Sequence, residues 1–157
     1  MRHFATGVCV VSTYSDKSGT RQHDAVTVNS LNSVSLHPAL ITLCFRHDSR
    51  FLADLRAAGV WGLSILDGDT EAYARVFARD PDTRQVALRD ATYQIGDTTG
   101  TLLLDGAAWM ECAYRDELTV GDHVMVIGEV VQLGVCDSRQ PLIFLQGGFH
   151  TLELEGV

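Results

Sequence analysis

The 157-residue sequence contains no apolar run approaching the roughly 20 residues that span a bilayer, and no basic-then-apolar leader opens it. A cytoplasmic protein without membrane contact is therefore expected. Cations are scarce. Lys and Arg total 12 against 20 Asp and Glu, the formal net charge is −8, and no segment carries a basic cluster. Such a surface repels a phosphate backbone, so nucleic acid is not an expected partner. The four cysteines, Cys9, Cys44, Cys112 and Cys136, lie far apart in apolar segments, without the paired spacing of a zinc or redox motif, and are expected to be buried and reduced. The six histidines show neither H-x-H nor H-E-x-x-H spacing, so no metal site is expected. The G-x-S-x-G elbow, the G-x-G-x-x-G turn and the Walker loop are all missing, which removes the hydrolase elbow, the Rossmann fingerprint and the P-loop.

What is present centres on Ala25–Pro38, AVTVNSLNSVSLHP. Val26, Val28, Val34 and Leu36 form an apolar stripe and Thr27, Asn29, Ser33 and Ser35 a polar one, the alternation of a half-buried strand. Ser30, Leu31 and Asn32 invert that pattern, so the strand is expected to bulge or turn there. Side chains this short let a flat polar ligand reach the backbone. An ordinary Asn/Ser turn at a strand end is the competing reading.

Around this stretch the chain reads as mainly β and, at 46% hydrophobic and 20% charged residues, as one globular domain over 1–157. Val8–Val11 looks like a strand buried on both faces, and the turn residues Asp16–Gly19 fold it onto the Ala25 stretch as a hairpin. A third strand covers Ala39–Phe45. A helix follows, with Asp48 and Ser49 as cap candidates and Gly59 as its stop, then a strand over Trp61–Leu66. A second helix is expected over Asp69–Arg79, stopped by Pro81, and a short one near Arg84–Leu88. Four more strand-like segments, Thr101–Leu104, Ala107–Tyr114, His123–Val135 and Leu142–Leu154, complete an antiparallel barrel with a few helices outside. Val124–Val131 is apolar on both faces apart from Glu129, as a subunit interface would require.

Three local features carry possible chemistry. Asp48-Ser49-Arg50 opens a helix, where a hydroxyl, a cation and free N–H groups suit a phosphate; simple capping is the alternative, and Asp48 has the wrong sign for an anion. Gly121-Asp122-His123 places an imidazole at a strand start, beside a plain hairpin reading. Gly147-Gly148-Phe149-His150 combines permissive backbone with two rings.

In order and spacing, RHFATGV (2–8), TVNSLNSVSLHPAL (27–40), CFRHDSR (44–50), AWMEC (108–112), GDHVMVIGEV (121–130) and PLIFLQGGFHTL (141–152) strongly resemble the flavin reductase-like family over essentially the whole chain. The resemblance implies a split, Greek-key antiparallel β-barrel of the FMN-binding type with a few peripheral helices. It also implies a homodimer, and reduction of FMN or FAD by NADH or NADPH, with reduced flavin supplied to a partner monooxygenase. Matched by position, Thr27, Val28, Asn29 and Ser30 contact the flavin and Ser33 and Ser35 continue that wall. Arg46, Ser49 and Arg50 lie on the phosphate side, His123 is the catalytic-site residue near the nicotinamide, and Gly148, Phe149 and His150 form a C-terminal cofactor segment. Relatives often read G-G-Tyr-Arg there, so Phe149 and His150 depart from the pattern; a non-catalytic flavin-binding module on the same barrel is the alternative. The flavin carries the hydride chemistry, which agrees with a sequence that has no triad, dyad or metal cluster.

Overall fold

The computed structural model describes residues 1–152. Its main sheet has seven antiparallel strands in the order β3-β2-β6-β9-β10-β5-β4: β2 (Cys9–Lys17), β3 (Thr20–Val28), β4 (Asn32–Leu36), β5 (Ala39–Arg46), β6 (Val60–Ile65), β9 (Ala108–Val120) and β10 (His123–Val135). The two edge strands, β3 and β4, are consecutive in sequence and joined only by Asn29, Ser30 and Leu31. Four Cα steps span at most about 14 Å, so a seven-stranded sheet can place its opposite edges that close only by curling into a barrel. The barrel is therefore split at one seam, and the polar stretch crosses it. A three-stranded sheet, β1 (Thr6–Gly7), β11 (Leu142–Leu145) and β12 (Gly148–Thr151), and a hairpin, β7 (Tyr93–Ile95) with β8 (Leu102–Leu104), lie outside.

β2 is buried on both faces because it separates two cores. Cys9 and Val11 face the barrel interior with Leu43, Trp61, Leu63, Val124 and Val126, closed by Phe51, Leu52 and Leu55 of helix α1 (Arg50–Ala58). Val8 and Val10 face an outer core with Phe77, Leu88, Leu104 and Leu142. Gly128 is required inside: a Cβ there would stand 2.1 Å from Cη2 of Trp61. Ser49 caps α1, its hydroxyl accepting the Leu52 N–H at 3.3 Å, and Gly59 ends it in the left-handed conformation at φ 69°.

Several expectations are corrected. The helix expected over Asp69–Arg79 is a 3-10 turn, Gly68–Thr70, followed by a short helix α2, Glu71–Val76. Asp67 and Thr70 cap each other to start it, and the Phe77 carbonyl is diverted to the Thr27 N–H at 3.0 Å as it ends. Helix α3, Pro81–Asp90, is longer than the Arg84–Leu88 expected, because Asp80 accepts from the Thr83 N–H and Pro81 occupies the first turn. β7 was not anticipated. The C-terminal strand is two, β11 and β12, divided at Gln146-Gly147, and its last expected residues, 153 and 154, lie outside the described residues. Val34 and Leu36 are 57% and 78% exposed, so the inferred buried stripe stops at Val28: β4 is an edge strand with a register shift between Ser33 and Ser35. Cys44 and Cys136 are only half-buried; Cys9 and Cys112 are fully buried.

Candidate functional site

The seam holds a cavity of about 730 Å³. Its walls are Asn29–Asn32, Cys44 of β5, Met1, Arg2 and Phe4–Gly7 from the first residues, and Phe144, Gln146 and Gly147 around the β11–β12 turn. Asn29–Leu31 lie outside both ladders, so their N–H and C=O groups are not committed to strand partners. Ser30 fixes the crossing: its hydroxyl oxygen accepts the Cys44 N–H at 3.0 Å and its hydroxyl donates to the Cys44 carbonyl at 3.3 Å. Thr6 Oγ1, in the wall, is buried without a hydrogen-bond partner. No carboxylate and no histidine lines the cavity.

A second space of about 190 Å³ adjoins the first across Asn29 and Phe144, and includes Thr27, Val28 and Phe149 in its walls. The Thr27 hydroxyl donates to the Ala74 carbonyl at 2.9 Å, so this side chain pins α2 to β3.

The remaining expected residues scatter. His123 stands opposite Arg46 on β5 and Val120 on β9, its Nδ1 2.8 Å from an Asp122 carboxylate oxygen. Because Cys44 pairs with Met125, His123 lies diagonally from Cys44 on the same outer face, roughly 7–8 Å away. The imidazole contact holds the Asp122 carboxyl below its usual range. Arg46 is tied to Asp48 by two hydrogen bonds of 3.0 and 3.1 Å, which lower the Asp48 carboxyl. Ser49 serves as the α1 cap, and Arg50 lines a separate crevice with Lys17, His23, Asp24 and Asp54. Ser33 and Ser35 lie on β4 outside the cavity lining, as do Gly148 and His150 on β12; the His150 Nε2 sits 3.3 Å from the Leu145 carbonyl. The structure therefore brings Asn29 and Ser30 to the main cavity, Thr27, Val28 and Phe149 to its extension, and leaves Arg46, Ser49 and Arg50 apart. Thr6, Cys44, Phe144 and Gln146 are wall residues that the sequence reading did not select. Their signal was topological: Thr6 and Phe144 meet as ladder partners of β1 and β11, and only the fold brings that pair to Cys44.

No group of three or more His, Cys, Asp or Glu side chains suited to a metal ion occurs among the described residues. The seam-split β-barrel thus presents a polar-edged cleft, with Asn29–Leu31 outside both ladders and the Thr6 hydroxyl buried without a partner. Residues 1–153 match the family described as "Flavin reductase like domain", and the chain belongs to that family. It is 34% identical over 153 residues to a "Probable flavin reductase" of Rhizobium meliloti (strain 1021), covering 98% of this chain but only 47%, about half, of that relative. Among solved structures it resembles the Streptomyces globisporus NADH:FAD oxidoreductase in complex with NAD and FAD fragments, with a TM-score of 0.88 at 28% identity, covering 99% of this chain and 90% of that one. It also resembles BorF, the flavin reductase component of a bacterial two-component tryptophan halogenase, with a TM-score of 0.85 at 34% identity and coverage of 96% and 92%.

Proposed function

We propose that this chain is an NAD(P)H-dependent flavin reductase that binds FMN or FAD along the barrel seam and supplies reduced flavin to a partner monooxygenase. The observation that carries the reading is the seam cavity, bordered by Asn29–Leu31 outside both ladders and lined by no carboxylate or histidine. Bound flavin supplies the hydride acceptor, so no protein acid or base is needed at the reacting atoms. The protein binds and aligns. Asn29–Leu31 offer N–H and C=O groups to the polar edge of the ring, Phe144 and Leu31 supply apolar contact, and Ser30 holds the crossing strand rigid against β5. His123, one diagonal step from Cys44, orients the nicotinamide donor. The halogenase and oxidoreductase neighbours support the partner and the hydride donor.

The working unit in this reading is a homodimer in the cytoplasm. Its support is the outer face of β5, β9 and β10, where Leu40, Cys44, Leu118, Val120, Met125 and Ile127 share one side, with Leu118 and Val120 60% and 52% exposed. That face continues to the cavity through Cys44. NADH oxidation with FMN present, saturable in both, tests the activity; flavin binding without turnover would favour a carrier or sensor.

A further inference from the structure

β10 outruns its neighbour: its ladder with β5 ends at Glu129, which pairs with Leu40, so Val130–Val135 run beside β9 alone and leave their other edge open. Open strand edges are ordinarily protected by charge or proline, and this one reads VVQLGV, with neither. Its side chains are apolar and bare, Leu133 and Val135 being 58% and 66% exposed. The β7–β8 hairpin widens the strip. The Thr98 hydroxyl donates to Gln132 Oε1 at 2.8 Å, and Tyr93, Trp109 and Val135 share the walls of a pocket of about 310 Å³. Tyr93 and Ile95 on β7 are likewise exposed. Gly134 lets the Trp109 indole rest against β10, because a Cβ there would stand 2.5 Å from its Cε2. A contiguous apolar strip with a pocket for one large side chain is an interaction surface, which scattered exposed residues are not. Its rim is acidic: Asp97 and Asp137 stand just past Ile95 and Val135, both exposed, and Asp105, which shares Arg139 with Asp67, lies in the pocket wall. A second copy, also at −8, would bring the same carboxylates against them, so charge selects a basic partner.

We propose that this strip is the docking surface for the partner monooxygenase, which adds an extended apolar segment flanked by basic side chains to the open edge of β10 and seats one large side chain between Tyr93 and Trp109. This rests on the reductase reading above. The strip lies roughly 25 Å along β10 from Met125, the ladder partner of Cys44 in the cavity wall, so docking leaves the seam open. The probe is a strand peptide of alternating valine and threonine with a central phenylalanine and lysine at both ends, and its control carries glutamate at both ends. Amide NMR spectra of the wild type should show the lysine peptide shifting Tyr93, Ile95 and Val131–Val135 and slowing hydrogen exchange along Val131–Val135, with both effects weakening as salt is raised. Leu133→Lys should abolish the shifts in a protein that its melting curve shows folded and that reduces FMN with NADH at the wild-type rate. No shift in the strip at millimolar peptide, or equal binding of the glutamate peptide, overturns the docking surface. So does a wild type whose mass by light scattering falls in Leu133→Lys, since a second copy would then hold the strip. If the peptide maps to the strip but the wild type reduces no flavin, the reductase reading fails and takes the monooxygenase assignment with it. Flavin reduction without peptide binding fails the docking surface alone.

Discussion

Ser30 and Cys44 are locked together at the seam: one hydroxyl satisfies both the N–H and the C=O of Cys44, at 3.0 and 3.3 Å, where a neighbouring strand residue would otherwise pair. A side chain thus replaces a ladder contact where the chain must leave the sheet, and Asn29–Leu31 are left outside both ladders, the Ser30 carbonyl accepting from Asn32 Nδ2 at 3.3 Å. Ser30→Ala strands both Cys44 groups. At about 1 kcal/mol for each part-buried hydrogen bond, urea unfolding should show a loss of about 1–2 kcal/mol, and flavin affinity should fall as the crossing loosens. Unchanged stability would mean that the crossing is held by other contacts.

The cysteines give a direct footprint of the cavity. Burial pushes the Cys9 thiol up to about 12, and burial with the neighbouring Glu111 charge does the same for Cys112. Both should stay protonated and unreactive at neutral pH in the folded protein, while Cys44 and Cys136 alkylate. Saturating FMN should slow labelling of Cys44 and leave Cys136 unaffected. Mass spectrometry of the labelled peptides reads both, and equal Cys44 labelling with and without flavin would move the ligand off the seam.

His23 sets an acid limit. Burial first, and the Arg21 charge second, lower its pKa below the ordinary 6.5. The unfolded chain therefore binds more protons than the folded one as pH falls below about 6.5, so this contribution is fully present above that value and is lost as pH drops through the lower folded pKa. His23→Gln should flatten the decline of melting temperature in this window. A parallel decline in the variant would assign it to other groups.

Much of the architecture was legible. The two-sided burial of Val8–Val11, the Asp16–Gly19 hairpin, the Ser49 cap and the break after Val28 all follow from local periodicity and turn chemistry, which act over a few residues. What failed was set at a distance. Val34 and Leu36 alternate as buried residues do, yet β4 ends the sheet, and an edge position cannot be read from alternation. Arg50 begins a helix as expected, but the way α1 packs into the barrel turns it toward the β2–β3 hairpin and α3. Thr27 lines the extension of the cavity, and the commitment of its hydroxyl to Ala74, 47 residues away, is likewise set by the fold.

His123 should act on the donor and not on the flavin, because it stands beyond Cys44 on the outer face instead of in the cavity wall. His123→Ala should keep FMN affinity within about threefold while lowering kcat/KM for NADH, about tenfold for each 1.4 kcal/mol of lost alignment. A variant with unchanged kcat/KM would remove His123 from the donor site.

The most direct test of the central claim is anaerobic mixing of the protein and FMN with NADH, followed in the visible absorption band of the flavin. Reductase function at the seam predicts bleaching at a rate that saturates with NADH, far faster than the same mixture without protein. A flavin that binds, quenches and protects Cys44 yet keeps its oxidised spectrum at every NADH and NADPH concentration would contradict it.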